Sequence, residues 1–273
     1  MQLSLTSWSL PLCTLTECAA IARALRIPSL DVSYFYRSAL DRRRVLEAPE
    51  EYAKKLVGSI GAPSNFFHLF GQSVPDRNLA DPSIARENIS DFANVLRFCS
   101  AARVPSVMVL PGVVNPGQSR RQALIASSKS LAEMQSMAAG AGVVLTIEAH
   151  VHSYLESPSL TLELLNIVPG LRLTLDYTHF LCLGYRQEEI DVLAPYAAHV
   201  HLRQARAGVL QAPVEMGTLN FNAMLGVLRD ANYSGFLALE YVHQDYMNTL
   251  FEDVLSETVK LRDLVEAWHS KIN

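Results

Sequence analysis

Cysteine is scarce in this chain: 273 residues hold Cys13, Cys18, Cys99 and Cys182 and no others. Four are too few for a disulfide framework in a chain of this length. No two form a CxxC pair, so no structural zinc knuckle is expected. All four read as buried thiols of a reducing compartment. Long apolar runs are also missing, and nothing approaches the roughly 18 unbroken apolar residues of a membrane span. Residues 1–13 lack a basic segment and read as the start of a strand, so no signal peptide is expected and the location is read as cytoplasmic. Positive charge is not in excess: 23 Lys and Arg stand against 27 Asp and Glu, a net charge of −4. That balance argues against a nucleic-acid partner. The triplet Arg42-Arg43-Arg44 reads as a solvated face rather than a phosphate-tracking groove. No Ser/Gly/Pro linker or low-complexity segment divides the chain.

What is present is a regular alternation. The composition is 49% hydrophobic and 18% charged, that of a globular chain. Short β-rich runs read as strands at 2–8, 28–34, 65–70, 106–110, 143–148, 172–176, 199–203 and 236–240. Helical patterns fall between them, to about 26, over about 49–60, 81–103, 118–139, from Ser157-Pro158 to before Pro169, 188–193 and 222–231, with a closing helix over 249–268. Thr14-Leu15-Thr16-Glu17 has the form of a capping box. Asp81-Pro82 and Ser157-Pro158 have the form of N-cap followed by proline at N1. Gly140 reads as the glycine that stops its helix. Strand–helix alternation of this kind implies parallel β-α-β units. Eight of them fit one (β/α)₈ TIM barrel over residues 1–273, a fold of about 250 residues. A doubly wound open sheet would carry a Gly-rich turn after its first strand. Trp8-Ser9-Leu10-Pro11 stands there instead.

In such a barrel, functional groups sit at the C-terminal ends of the strands. Period-two alternation assigns the faces. Val144, Thr146 and Glu148 point inward on the fifth strand, and Arg172, Thr174 and Asp176 on the sixth. His199 and His201 point inward on the seventh, and Glu240 ends the eighth. Glu148, Asp176, His201 and Glu240 therefore converge above the barrel. Three carboxylates and an imidazole at short range need a counter-charge. One divalent cation meets that need. Its expected identity is Mn²⁺, with Mg²⁺, Co²⁺ and Zn²⁺ also suited to one nitrogen and three oxygens.

The tips Thr146-Ile-Glu-Ala-His150, Leu175-Asp-Tyr-Thr-His179, His199-Val-His-Leu202 and Ala238-Leu-Glu-Tyr241 resemble those of the xylose-isomerase-like barrels, the sugar phosphate isomerase/epimerase family. The resemblance runs in order along essentially the whole chain. It implies a metal on Glu148, Asp176, His201 and Glu240, substrate contact by His179, and an acidic residue closing the second strand, matched by Asp31. Two departures stand out: Arg203-Gln204 where Lys-Asp is frequent, and Glu215-Met216-Gly217 where Gly-x-Gly is usual. The related endonucleases need an Asp-x-His after the seventh strand, and residues 204–220 contain neither Asp nor His.

A cation in an open site polarises a carbonyl, and a carboxylate can then remove the neighbouring proton through an enediolate. The expected function is a metal-dependent isomerase or epimerase of a small sugar or hydroxy-keto compound, with Glu148 and Glu240 as the catalytic pair. A lyase or dehydratase acting on a keto-sugar or keto-inositol is the alternative; a non-catalytic sugar-binding barrel ranks behind both. Substrate contacts are expected from His179, His68, His150, Glu156, Arg203 and Trp8. A small-molecule sugar is the expected partner. A homodimer through the closing helix or the loop after the seventh strand is left open.

Overall fold

Eight parallel strands close on themselves in the computed structural model of the chain, which describes residues 1–247, 249–250 and 253–272. The strands are β1 (Gln2–Thr6), β2 (Ser29–Val32), β3 (Asn65–Phe67), β4 (Ser106–Val109), β5 (Val144–Ile147), β6 (Arg172–Asp176), β7 (Ala197–Leu202) and β8 (Phe236–Leu239). Each pairs with its sequence neighbours, and β8 pairs with β1, which closes the ring. The chain is a single (β/α)₈ barrel, as its alternation implies.

The surrounding helices are α1 (Leu15–Ala24), α2 (Arg42–Glu47), α3 (Pro49–Ile60), α4 (Ala85–Ala102), α5 (Arg120–Ala141), α6 (Pro158–Ile167), α7 (Tyr177–Cys182), α8 (Gln187–Asp191), α9 (Phe221–Asp230) and α10 (Val254–Ile272). Local chemistry accounts for their starts. Thr14 and Glu17 form the capping box of α1, and Ser157 caps α6 with Pro158 behind it. The aliphatic side chains on the outward faces of the strands, among them Leu145, Ile147, Leu173, Leu175, Val200 and Leu237, are buried under the helices in one continuous core.

Several boundaries differ from expectation. Gly140 lies inside α5, and the helix ends instead on Gly142, which takes a left-handed φ of +67°. Asp81-Pro82 opens a short 3-10 turn over Pro82–Ile84 before α4 begins. The closing helix starts at Val254; Thr249–Leu250 pairs with His243–Gln244 as a small ribbon. The rest of that expected span, residues 251–252, lies outside the described residues. Helix α7 and a hairpin of Gln204–Arg206 with Val209–Ala212 were not anticipated. Arg42 is not a solvated charge. Its guanidinium donates to the carbonyls of Leu69, Phe70 and Gly71 and lies 4.1 Å over the Tyr34 ring. Cys13 is half-buried, whereas the other three thiols are buried. No helix among the described residues is long and apolar enough to cross a membrane.

The interior of the barrel is unusually polar. Branched aliphatic side chains dominate the layers of most barrels of this kind. Here Ser4 and Ser64 donate to Asp31 Oδ1 at 2.8 and 2.7 Å, Ser106 donates to Asn65 at 2.8 Å, and Thr146 meets Thr174 at 2.8 Å. His199 and Asp31 pair at 2.6 Å. Every one of these groups is almost fully buried and has at least one hydrogen-bond partner, although His199 Nδ1 has none.

Candidate functional site

Above that polar layer, the next inward-facing residues of β5 through β8 meet at the barrel mouth. Asp176 and His201 are direct register partners across β6 and β7. Glu148 follows the last residue of β5 and Glu240 the last of β8. One oxygen or nitrogen from each of Glu148, Asp176, His201 and Glu240 lies within 4.8 Å of the others. His201 Nδ1 is 2.8 Å from Glu148 Oε1 and 3.3 Å from Glu240 Oε2. All four residues are buried, none more than 7% exposed.

Neighbouring groups fix this cluster. Asp176 caps α7: its Oδ1 accepts from the amide and hydroxyl of Thr178 at 2.8 and 2.6 Å. Its Oδ2 accepts from Arg203 Nη2 at 2.9 Å. The Arg203 guanidinium also donates through Nε to Thr178 Oγ1 at 3.0 Å and lies 3.7 Å from Glu240. Trp8 Nε1 donates to Glu240 Oε1 at 2.8 Å, across the seam that closes the ring. The other oxygen, Glu240 Oε2, is buried without a hydrogen bond. An acceptor of that kind, facing two further carboxylates and an imidazole nitrogen, fits a hard divalent cation with one nitrogen and three oxygen ligands.

The charges are divided unevenly across the metal-free cluster. Burial, with Glu240 and Asp176 close by, pushes Glu148 up to about 7 despite its hydrogen bond from His201. Burial pulls Glu240 the same way, but the charges of His201 and Arg203, the close approach of His201 Nδ1 and the hydrogen bond from Trp8 outweigh it and hold this carboxyl near 2. Burial alone would lower His201; Glu240, Asp31 and Glu148 overcome that and hold the imidazole well above its ordinary range. Burial lowers His150 to about 4 and, with neighbouring positive groups, takes His179 well below its usual value, so both rings are neutral. Two carboxyls whose environments drive them apart in this way suit opposite halves of a proton transfer.

A cavity of about 200 Å³ opens onto the cluster. One wall is polar: Glu148, His150, His179, Arg203, Glu240, Gln244 and Tyr246. The opposite wall is apolar: Trp8, Phe35, Phe67, Val74, Leu110 and Val242, with Tyr36 at the rim. Of the expected substrate contacts, Trp8, His150, His179 and Arg203 line this cavity. His150 and His179 pack ring against ring, 4.2 Å between centroids. His68 does not reach it. Its Nδ1 pairs with Tyr34 OH at 3.0 Å, and the ring borders a separate small space beside Arg77 and Asn78. Glu156 is turned away as well: it pairs with Arg120 at 3.1 Å and accepts from the His152 amide at 2.7 Å. His152 and His243 are exposed, the latter in the small ribbon.

The two members of the first departure from the family pattern separate in space. Arg203 enters the site. Gln204 instead ties down its own loop, with Oε1 accepting from Ala205 and Leu219, and Nε2 donating to the Val214 and Leu219 carbonyls. Gly217 packs directly on that side chain, where a Cβ would stand 2.2 Å from Gln204 Cγ. Apart from Trp8, the apolar wall was missed in the sequence, although Phe67 lies two residues beyond the inward-facing Asn65 and the same alternation points to it.

The family model described as xylose isomerase-like TIM barrel matches residues 31–263. No curated protein matches the chain in sequence. Among the solved structures that share its fold are three with sugar-epimerase or metal-bound descriptions. A D-tagatose 3-epimerase-like protein is 17% identical, with a TM-score of 0.75 and full coverage of both chains. An L-ribulose 3-epimerase is 16% identical, with a TM-score of 0.75, over 99% of this chain and 95% of that one. The IolI protein with a bound zinc atom is 16% identical, with a TM-score of 0.74, over 99% of each chain.

Proposed function

The chain belongs to the xylose isomerase-like TIM barrel family, and from that premise we propose that it is a metal-dependent isomerase or epimerase of a small sugar or hydroxy-keto compound. The observation that carries the reading is the set of four ligand atoms from Glu148, Asp176, His201 and Glu240 within 4.8 Å of one another, opening onto a cavity. The epimerase names of two structures with this fold and the zinc of a third support it. These four residues would hold one divalent cation, Mn²⁺ first, and the cation supplies a positive charge that polarises a substrate carbonyl and acidifies the adjacent C–H.

The chain's own residues do the rest. Glu240 is the base: His201, Arg203 and Trp8 keep its carboxylate ionised and aimed into the cavity. Glu148 is the acid of the pair, its carboxyl lying 2.8 Å from His201 Nδ1 at the wall of the same cavity. The two stand three strands apart around the ring, so that one can take a proton from a face of the substrate that the other does not share. His179 and Arg203 orient substrate oxygens along the polar wall. Trp8, Phe35, Phe67 and Leu110 keep water from the reacting carbon and so strengthen every electrostatic contact in the site.

The test is exchange of the substrate α-proton with solvent deuterium, over a panel of ketoses, aldoses and hydroxy-ketones with the Mn²⁺-loaded protein. The reading predicts deuterium incorporation into at least one of them, with products of unchanged mass apart from the label. A product lighter by one water assigns the site to a dehydratase. Binding without any exchange assigns it to a non-catalytic sugar-binding barrel.

A further inference from the structure

The Asp31 carboxylate lies one layer below the metal cluster, enclosed in the barrel with no solvent exposure. Ser4 and Ser64 fix its Oδ1, and His199 Nε2 holds its Oδ2 at 2.6 Å. The same Oδ2 stands 3.4 Å from His201 Nε2. That ring nitrogen is buried and makes no hydrogen bond of its own. The other nitrogen of His201, Nδ1, faces Glu148 and Glu240.

The two nitrogens of an imidazole are not equivalent. A cation takes the lone pair of one, and the proton must then sit on the other, whose partner fixes the ring. With Nδ1 turned toward the cluster, the proton belongs on Nε2, and a buried N–H needs an acceptor. Asp31 Oδ2 is the acceptor that faces it. We infer that Asp31 is a positioning residue: it holds the His201 imidazole with Nε2 protonated and Nδ1 presented to the cation. The inference rests on the reading of the four-residue cluster as a metal site. The serines and His199 then have a definite task, because they keep the carboxylate from swinging away from His201.

The test uses the full chain. In the wild-type protein loaded with Zn²⁺, long-range ¹H–¹⁵N spectra of the imidazoles should show His201 metallated at Nδ1 and protonated at Nε2. Metal on Nε2, or an Nε2 without a proton, overturns the inference. Mn²⁺ affinity by chelator competition provides the second readout. Asp31→Ala should weaken binding about 10- to 100-fold. Asp31→Asn, whose amide oxygen can still accept from Nε2, should recover part of that loss. Ser64→Ala, which removes one of the two serine bonds to Oδ1, should weaken binding less than Asp31→Ala does. Wild-type affinity in Asp31→Ala overturns the inference alone. Failure of the wild-type protein to bind either cation overturns the metal reading itself, and the inference with it. If Asp31→Ala does not fold, the wild-type spectra decide.

Discussion

The two halves of the barrel mouth are built from opposite chemistry. The tips of β5 to β8 carry Glu148, Asp176, His201, Arg203 and Glu240, whereas the ends of β1 to β4 and the segments just beyond them carry Trp8, Phe35, Phe67 and Leu110. Neither half makes a site by itself. An acidic cluster open to water would be screened and worth little. Against a wall of aromatic and aliphatic side chains its charges act at much lower effective dielectric. Trp8 belongs to both halves: its ring packs edge-on against Phe67 and His201, and its Nε1 donates to Glu240.

If the ionic half carries the chemistry, its carboxylates should be the most sensitive positions. Glu240→Gln and Glu148→Gln should each lower α-proton exchange by about 10²- to 10⁴-fold while leaving the fold intact by circular dichroism. Exchange at the wild-type rate in either variant removes that residue from the proton transfer.

Arg203 separates the contribution of protein charge from that of the cation. In the absence of metal, Arg203→Met leaves Asp176 and Glu240 without their buried counter-charge. Loss of one partner of a buried pair costs about 3–5 kcal/mol. Urea unfolding in the presence of a chelator should show a loss of that order, and saturating Mn²⁺ should shrink it. An equal loss with and without metal means that the cation does not compensate the same carboxylates.

The pH dependence of metal binding follows from the protons in the cluster. The His201 imidazole is held well above its ordinary pKa in the metal-free protein, so it is protonated near neutrality, and a cation must displace that proton. Affinity therefore rises with pH, by about tenfold per unit for one displaced proton. Below about 7 Glu148 also takes up a proton, and the slope should steepen. Calorimetry in buffers of different ionisation enthalpy reads the number of protons released; none released contradicts the charge distribution.

On the apolar half, a swap that keeps the wall dry should matter least. Leu110→Met preserves volume and apolarity and should cost less than about 1.5 kcal/mol, with exchange unchanged. A large loss of exchange in this variant means that the wall contacts the reacting atoms directly.

The ionic half was legible in the sequence because each member ends a strand whose period-two alternation assigns its face. Glu148 follows Thr146, Asp176 follows Thr174 and Glu240 follows Ala238, two residues apart each time. The capping box at Thr14 and Glu17 and the proline start at Pro158 were legible for the same reason, since their chemistry is local. Contacts that exist only after closure were not. Trp8 reaches Glu240 across 232 residues of sequence, and no local pattern announces it. His68 shares Tyr34 rather than the cavity, and Glu156 is drawn to Arg120, because partners supplied by distant elements decide where a loop side chain turns. Helix α7 is six residues long and almost wholly buried, so no amphipathic stripe marks it.

Elemental analysis of the full chain after exposure to Mn²⁺ and exhaustive dialysis, beside an Asp176→Ala variant treated identically, goes to the root of the matter. A single-cation site of four ligands predicts about one equivalent retained by the wild type and a large loss in the variant. No metal in the wild type, or the same amount in both proteins, contradicts it.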